Sequence, residues 1–221
     1  MRTLLLWLLW LLIAAIMVGS YLFAPPMKSF VGGGESSRIL FFHVPMAWTS
    51  FVAFIAAGVW SAIFLKTRKR RHDHAASTAV EIGLVFCVLA TVSGAIWAKV
   101  EWGAYWNWDP RQLSILAALV YYAAYLALRS QVADDEVRAR VAGAYAVLGL
   151  VIAPFLFFVA PRIAGFSLHP QPVVNQGMKL QMDLSVLGIL IGGSLGFMAL
   201  FFWVHNLATR LALIEDELDQ A

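Results

Sequence analysis

Eleven consecutive residues, Trp102-Gly103-Ala104-Tyr105-Trp106-Asn107-Trp108-Asp109-Pro110-Arg111-Gln112, concentrate side chains that can cover something flat and grip its charged rim. Three of the nine tryptophans fall within seven residues there. Indoles are enriched at bilayer interfaces, and an isolated one needs no further explanation. This density, beside Gly103, Asp109 and Arg111, suits a platform for a large planar apolar ligand. If the segment is helical, Trp102 and Trp106 lie one turn apart on one face, with Tyr105 and Asp109 close to it. Trp108 adds a third indole, Gly103 allows close approach, and Arg111 can pair with a carboxylate such as a porphyrin propionate. Asp109 has a purely structural reading as well. It stands as a helix N-cap, with Pro110 at the first helical position and Gln112 at the third, the pattern of a capping box. The two roles are compatible, since a capped helix start also holds the aromatic segment.

Five histidines supply the second set of candidates. His72 and His74 belong to a basic stretch and His205 to the end of an apolar run, where solvated or interfacial roles are expected. His43 opens an apolar run in Phe42-His43-Val44-Pro45, and His169 lies in Leu168-His169-Pro170-Gln171-Pro172. Imidazole is a common axial ligand of haem iron, so two histidines flanking the tryptophan segment can approach opposite faces of a macrocycle. That pairing, His43 and His169 on the iron, is the expected metal site.

Positioning these groups is the task of a chain that lipid must solvate. Of its 221 residues 61% are hydrophobic and only 13% charged, against about a quarter charged in soluble domains. Apolar runs fall at Leu4 to Phe23, Val44 to Leu65, Val80 to Ala98, Leu113 to Leu128, Val141 to Ala160 and Leu184 to Val204. Each is long enough, or nearly so, to cross the hydrocarbon core. The expected fold is a single all-α domain, residues 1–221, bundling six transmembrane helices with short loops. The first run exceeds a signal-peptide core and is followed by Pro25-Pro26-Met27 instead of a small-residue cleavage site, so it is read as a helix.

Lys66, Arg68, Lys69, Arg70 and Arg71 between the second and third helices mark the cytoplasmic side by the positive-inside rule. Both termini are then cytoplasmic. Three loops face outward: Ala24 to Phe42, Lys99 to Gln112 and Pro161 to Asp183, so His43, His169 and the tryptophan segment share one side. The basic balance, net +3, reflects loops in general, with ten Lys and Arg inside against six outside, and does not imply nucleic-acid binding. Pro154 can kink the fifth helix. The acidic end, Glu215 to Asp219, reads as a solvated tail or a helix extension. The single cysteine, Cys87, lies in an apolar run and reads as a buried small hydrophobe. No C-x-x-C-H attachment pattern and no G-x-x-x-x-G-K-[ST] phosphate loop occur, so covalent haem and ATP hydrolysis are not expected of this chain.

The W-G-x-x-W-x-W-D segment, with a histidine before V-P and another in the last outer loop, resembles the tryptophan-rich haem-handling proteins of cytochrome c biogenesis. Length and layout are most similar to the cytochrome c maturation protein C (CcmC) family, over nearly the entire chain. One departure is Asp109-Pro110-Arg111-Gln112, where that branch commonly reads W-D-x-R-L-T; W-D-P is reminiscent of the related CcsA and CcmF branches. The resemblance implies a multi-pass inner-membrane protein, not an enzyme, that holds non-covalent b-type haem transiently on the periplasmic side. It implies His43 and His169 as axial ligands and Trp102, Gly103, Tyr105, Trp106, Trp108, Asp109 and Arg111 as the haem-binding loop. It further implies delivery to a membrane-tethered, CcmE-like haem chaperone, alongside CcmA- and CcmB-like ATP-binding-cassette subunits and a small CcmD-like membrane subunit. The alternative is the membrane part of a synthase that joins haem to apocytochrome. A b-type electron carrier would hold its histidines well inside helices, and a transporter would carry ionisable groups deep in several spans.

Overall fold

The computed structural model describes residues 34–169 and 183–219, together with positions 11, 14, 15, 18, 19 and 22. The N-terminus, most of the expected first span and the greater part of the first and last outer loops lie outside the described residues. No strand occurs among the described residues. After a short 3-10 turn, Glu35–Ile39, come α1 (Leu40–Thr67), α2 (Arg70–Trp102), α3 (Pro110–Gln131) and α4 (Asp135–Pro154). A π turn, Phe155–Val159, carries α4 into the short α5 (Ala160–Ile163), and α6 (Leu184–Asp219) closes the order. Five of these helical segments are long and apolar enough to cross a membrane.

Lipid is as apolar as leucine, so the bundle is held by close packing and not by expulsion of side chains from water. Small residues at helical spacing make that packing close. Ala53, Ala57 and Ser61 in α1, Ala76, Ala79, Gly83 and Ala90 in α2, and Ala142, Gly143, Ala146 and Ala153 in α4 form the buried faces. A Cβ on Gly83 would come within 2.8 Å of the Phe54 ring. Phe54 in turn stacks on Tyr122 of α3 with ring centroids 3.6 Å apart. Two tyrosines tie α3 to α4: Tyr121 Oη donates to the Tyr145 carbonyl at 2.7 Å and Tyr145 Oη to the Tyr121 carbonyl at 3.0 Å. Cys87 is wholly buried.

One end of the bundle is tied by ions. Arg129 near the end of α3 forks onto both Asp73 oxygens of α2, at 2.7 and 2.9 Å. Arg70 bridges Asp216 of α6 and Asp135 of α4. Consecutive helices therefore alternate in direction, and the opposite end carries the candidate site. α2 and α6 extend past their apolar runs by whole turns at the ionic end, because pairing there satisfies Arg70, Asp73 and Asp216. The acidic terminus is thus a helix extension through Asp216, which is paired. His205, expected in a solvated or interfacial role, is instead buried, with Nε2 bonded to the Ala75 carbonyl at 2.8 Å.

Candidate functional site

The site is built around the outer half of α2. His43 sits one turn into α1, behind the 3-10 turn, and so lies inside a continuous helical span from Glu35 instead of at its edge. This corrects the expectation that separated it from helix-borne ligands. Its Nδ1 lies 2.9 Å from the Ala90 carbonyl and 3.2 Å from Ser93 Oγ. A carbonyl only accepts, so Nδ1 carries the proton and the Nε2 lone pair is left available. The ring is seated over Gly94, where a Cβ would meet its Cε1 at 2.7 Å. Glycine is required there because the imidazole occupies the space a side chain would take.

His169 approaches further along the same helix, against Trp102 at 4.9 Å and Trp97 at 6.2 Å between ring centroids. From the Ala90–Gly94 patch to the Trp97–Trp102 patch is roughly 10 Å at the helical rise. His169 Nδ1 lies 2.7 Å from Asp109 Oδ1. Asp109 has a fully buried side chain and also accepts from the amides of Arg111 and Leu168 and from Ser167 Oγ, at 2.9, 2.6 and 2.9 Å. Burial opposes ionisation, but these donors outweigh it and hold the Asp109 carboxyl below the usual carboxylate range. Burial, set against the favourable Asp109 charge, pushes His169 down to about 4. The result is a neutral imidazole fixed by a carboxylate, protonated at Nδ1 with Nε2 free, as in carboxylate–histidine–metal arrangements. No hydrogen bond engages either Nε2 among the described residues.

The tryptophan segment is not helical. α2 ends at Trp102, its C-cap Gly103 at φ 80 in the left-handed region, and α3 begins only at Pro110. Trp102 and Trp106 therefore do not share a helix face, and the expected stack of three indoles is replaced by two groups. Trp102 meets Trp97 edge-on at 5.0 Å and 76°, while Trp106 and Trp108 make a separate edge-on pair at 6.1 Å. Trp108 and Tyr105 are 67% and 59% exposed. The physical reason is Gln112: its Oε1 accepts from the Asn107 amide at 2.8 Å and its Nε2 donates to the Tyr105 carbonyl at 3.3 Å, folding the loop back on the start of α3. The expected capping box is present. Trp108 has φ 57, a left-handed backbone that an aromatic residue adopts only when its surroundings impose it. Here the turn sends the indole outward and the Asp109 carboxylate inward.

Arg111, half-buried in the first turn of α3, feels the like charge of Arg162 of α5 and the opposite charge of Asp109. Trp97, Gly94, Ser167 and Arg162 escaped sequence reasoning, and Gln112 was legible as part of the cap but not as the residue that folds the loop back. Trp97 was the most findable, as an indole in an apolar run just before the motif; Ser167 and Gly94 carry no local signal.

Fold and site together define a class: a polytopic α-helical membrane protein with an aromatic loop and two histidines, each hydrogen-bonded through Nδ1, gathered at one end of the bundle. Residues 1–221 match the family model CcmC, heme exporter protein C, and the chain belongs to that family. It is similar to Heme exporter protein C of Bradyrhizobium diazoefficiens, 34% identical over 181 residues that cover 80% of this chain and 66% of the relative. It is similar to the ccmC-like mitochondrial protein of Marchantia polymorpha, named for cytochrome c biosynthesis, at 32% over 182 residues, 82% of this chain and 75% of the relative. Against Heme exporter protein C of Escherichia coli K12 the values are 29% over 161 residues, 72% and 66%. The chain thus spans just under two thirds of the first and third of these relatives.

Proposed function

We propose that this chain takes up haem at the membrane face bearing the tryptophan loop, holds it non-covalently, and hands it to a membrane-tethered haem chaperone during assembly of c-type cytochromes. The iron is ligated by Nε2 of His43 and of His169, each ring set by a hydrogen bond at its Nδ1. Trp102 and Trp97 back His169, Trp106, Trp108 and Tyr105 cover the exposed edge near Gly103, and Arg111 with Arg162 takes a propionate. The observation that supports the reading is the shared tautomer: two separate elements bring imidazoles against the outer half of α2, each bonded through Nδ1 and with no hydrogen bond to Nε2 among the described residues. Trp108 and Tyr105, exposed on a loop, leave one rim open, which suits release to an acceptor better than permanent retention. The haem face is periplasmic in a bacterial inner membrane. ATP-binding-cassette subunits supply the phosphate loop that this sequence does not contain, and a small membrane subunit works beside them.

The test is the absorption spectrum of the purified protein with haem, compared with His43→Ala and His169→Ala. A six-coordinate low-spin spectrum should become five-coordinate in each variant, and imidazole added to solution should restore it. Unchanged spectra in both variants would reject the ligand pair. A reconstitution with haem and apocytochrome separates delivery from synthesis: thioether formation without a chaperone would assign the synthase role instead.

A further inference from the structure

Of the three histidines at the ionic end, only one offers a lone pair. His205 spends its Nε2 on the Ala75 carbonyl, and His74 Nε2 is buried 3.4 Å from Asp216. His72 is half-buried in the first turn of α2, folded back onto the end of α1. The hydroxyl proton of Thr67 goes to the Ile63 carbonyl at 2.8 Å, so in the 2.7 Å contact between Thr67 Oγ1 and His72 Nδ1 the ring is the donor. Nε2 then keeps its lone pair. It bonds nothing among the described residues and is not one of the atoms sealed inside the bundle. Trp60, two turns before Thr67 on the same face of α1, lies along the ring with centroids 5.6 Å apart and planes 17° from parallel. A hydroxyl at one nitrogen and an indole along one face leave this imidazole little freedom to turn the other nitrogen away.

The charge around His72 decides what that nitrogen can take. Lys66, Arg68, Lys69 and Arg71 are all exposed and none is in an ion pair among the described residues, whereas Arg70 between them is taken by Asp216 and Asp135. Arg68 closes α1 at φ 58, a place glycine usually fills, so a cation is kept there against the preference of the backbone. The charges of Arg71 and Lys69 reach the His72 ring. Such a cluster repels a bare metal ion, and no group of three His, Cys, Asp or Glu among the described residues could hold one. A phospholipid headgroup would engage the cations but has no use for an imidazole lone pair. A metal complex that brings its own carboxylates meets both demands, and the exposed Val59 beside Trp60 gives its apolar body a surface to lie against. We propose that His72 ligates haem at this end of the bundle through Nε2, as the single protein ligand, with the propionates on Lys69 and Arg71. The ligand class rests on the function proposed above, but the site is separate from that one. Along α2, His72 lies roughly 33 Å from Gly94, on which His43 is seated, too far for one macrocycle to touch both. The positive-inside rule puts this end in the cytoplasm. The chain then meets haem there on one exchangeable ligand and holds it at the opposite end on two.

The experiment is a haem titration of the full chain in phosphatidylcholine nanodiscs, read by absorption and electron paramagnetic resonance. Wild type should take two equivalents, the first six-coordinate and low-spin, the second high-spin. In His72→Ala the dissociation constant of the high-spin equivalent should rise by more than the roughly tenfold that loss of an outer partner costs. The low-spin signal should stay, reporting an intact fold, and added imidazole should restore the lost equivalent. In His43→Ala/His169→Ala the low-spin signal should vanish and the high-spin one remain. Metal-free protoporphyrin, which carries the same propionates without iron, should bind more weakly than haem and equally to wild type and His72→Ala. The proposal is overturned if one low-spin equivalent is all that binds, if the high-spin equivalent survives His72→Ala, or if metal-free protoporphyrin binds as tightly as haem, the mark of a plain anion-binding surface. A wild type that shows the His72-dependent high-spin equivalent but no low-spin signal would overturn the reading of the outer pair and uphold this one.

Discussion

At the scale of single residues, Asp109 holds the site's chemistry and its local fold in one carboxylate. Asparagine caps helices as well as aspartate does, so Asp109→Asn should leave α3 in place. It removes the charge that orients the His169 ring and fixes its tautomer, and loss of such an outer partner typically costs 10- to 100-fold in metal affinity. Haem titration of the variant should show a dissociation constant raised by about that factor, with circular dichroism unchanged; equal affinity would reduce Asp109 to a cap. Acid gives an independent readout. The folded chain holds His169 at about 4 whereas a free imidazole protonates near 6.5. Between these values the unfolded state takes up a proton that the folded state refuses. Stability is therefore full above pH 6.5 and declines as pH falls toward 4. Asp109, held below its usual range, adds a loss in the same direction at still lower pH. Melting temperature in detergent should drop between pH 7 and 4.5 in the wild type and drop less in His169→Gln. Parallel curves would mean that the imidazole is not held neutral.

At the scale of elements, two glycines of α2 that look alike in sequence should behave oppositely. Gly94→Ala gains helix propensity, about 1 kcal/mol, and its Cβ meets the end of the His43 side chain, which can rotate away. The expected variant is as stable as wild type but has lost the His43-ligated haem spectrum. In Gly83→Ala the new Cβ meets the Phe54 ring and the Ala53 Cβ at 2.8 and 3.0 Å, inside a packed interface that cannot yield cheaply. It should destabilise by about 1–3 kcal/mol while the spectrum of the remaining folded protein is unchanged. Thermal unfolding and absorbance on the same samples separate the two effects. Helix existence was legible because lipid demands long apolar runs, and the start of α3 because Asp109, Pro110 and Gln112 form a local capping pattern. The end of α2 was not: Trp102 to Trp108 reads equally as helix or loop until Gln112 is seen bonding backward to Asn107 and Tyr105. Nor was the role of Gly94, which depends on a ring arriving from another helix, or the Asp109–His169 pair, whose members stand sixty residues apart.

At the scale of the whole molecule, function depends on the polarity of the bundle. The Arg70–Asp216, Arg70–Asp135 and Arg129–Asp73 pairs gather at one end, next to the exposed Lys66, Arg68, Lys69 and Arg71. His43, His169 and the tryptophan loop gather at the other. The positive-inside rule orients such a bundle with the ionic end in the cytoplasm, so an acceptor outside the membrane can reach the haem only if the rule holds here. Cys87 is the single cysteine and wholly buried, which makes the chain suited to labelling. In a Cys87→Ala background, Trp108→Cys should react with a membrane-impermeant maleimide on intact spheroplasts, and Arg71→Cys only after permeabilisation. Both positions are exposed, so failure to react reports sidedness and not burial. The reverse pattern would place the histidines on the cytoplasmic side, where haem is made, and would turn the proposed delivery step into one of capture before export. Reaction of both from one side would break the alternation of helices itself, since α2 alone separates the two positions by about 50 Å at the helical rise.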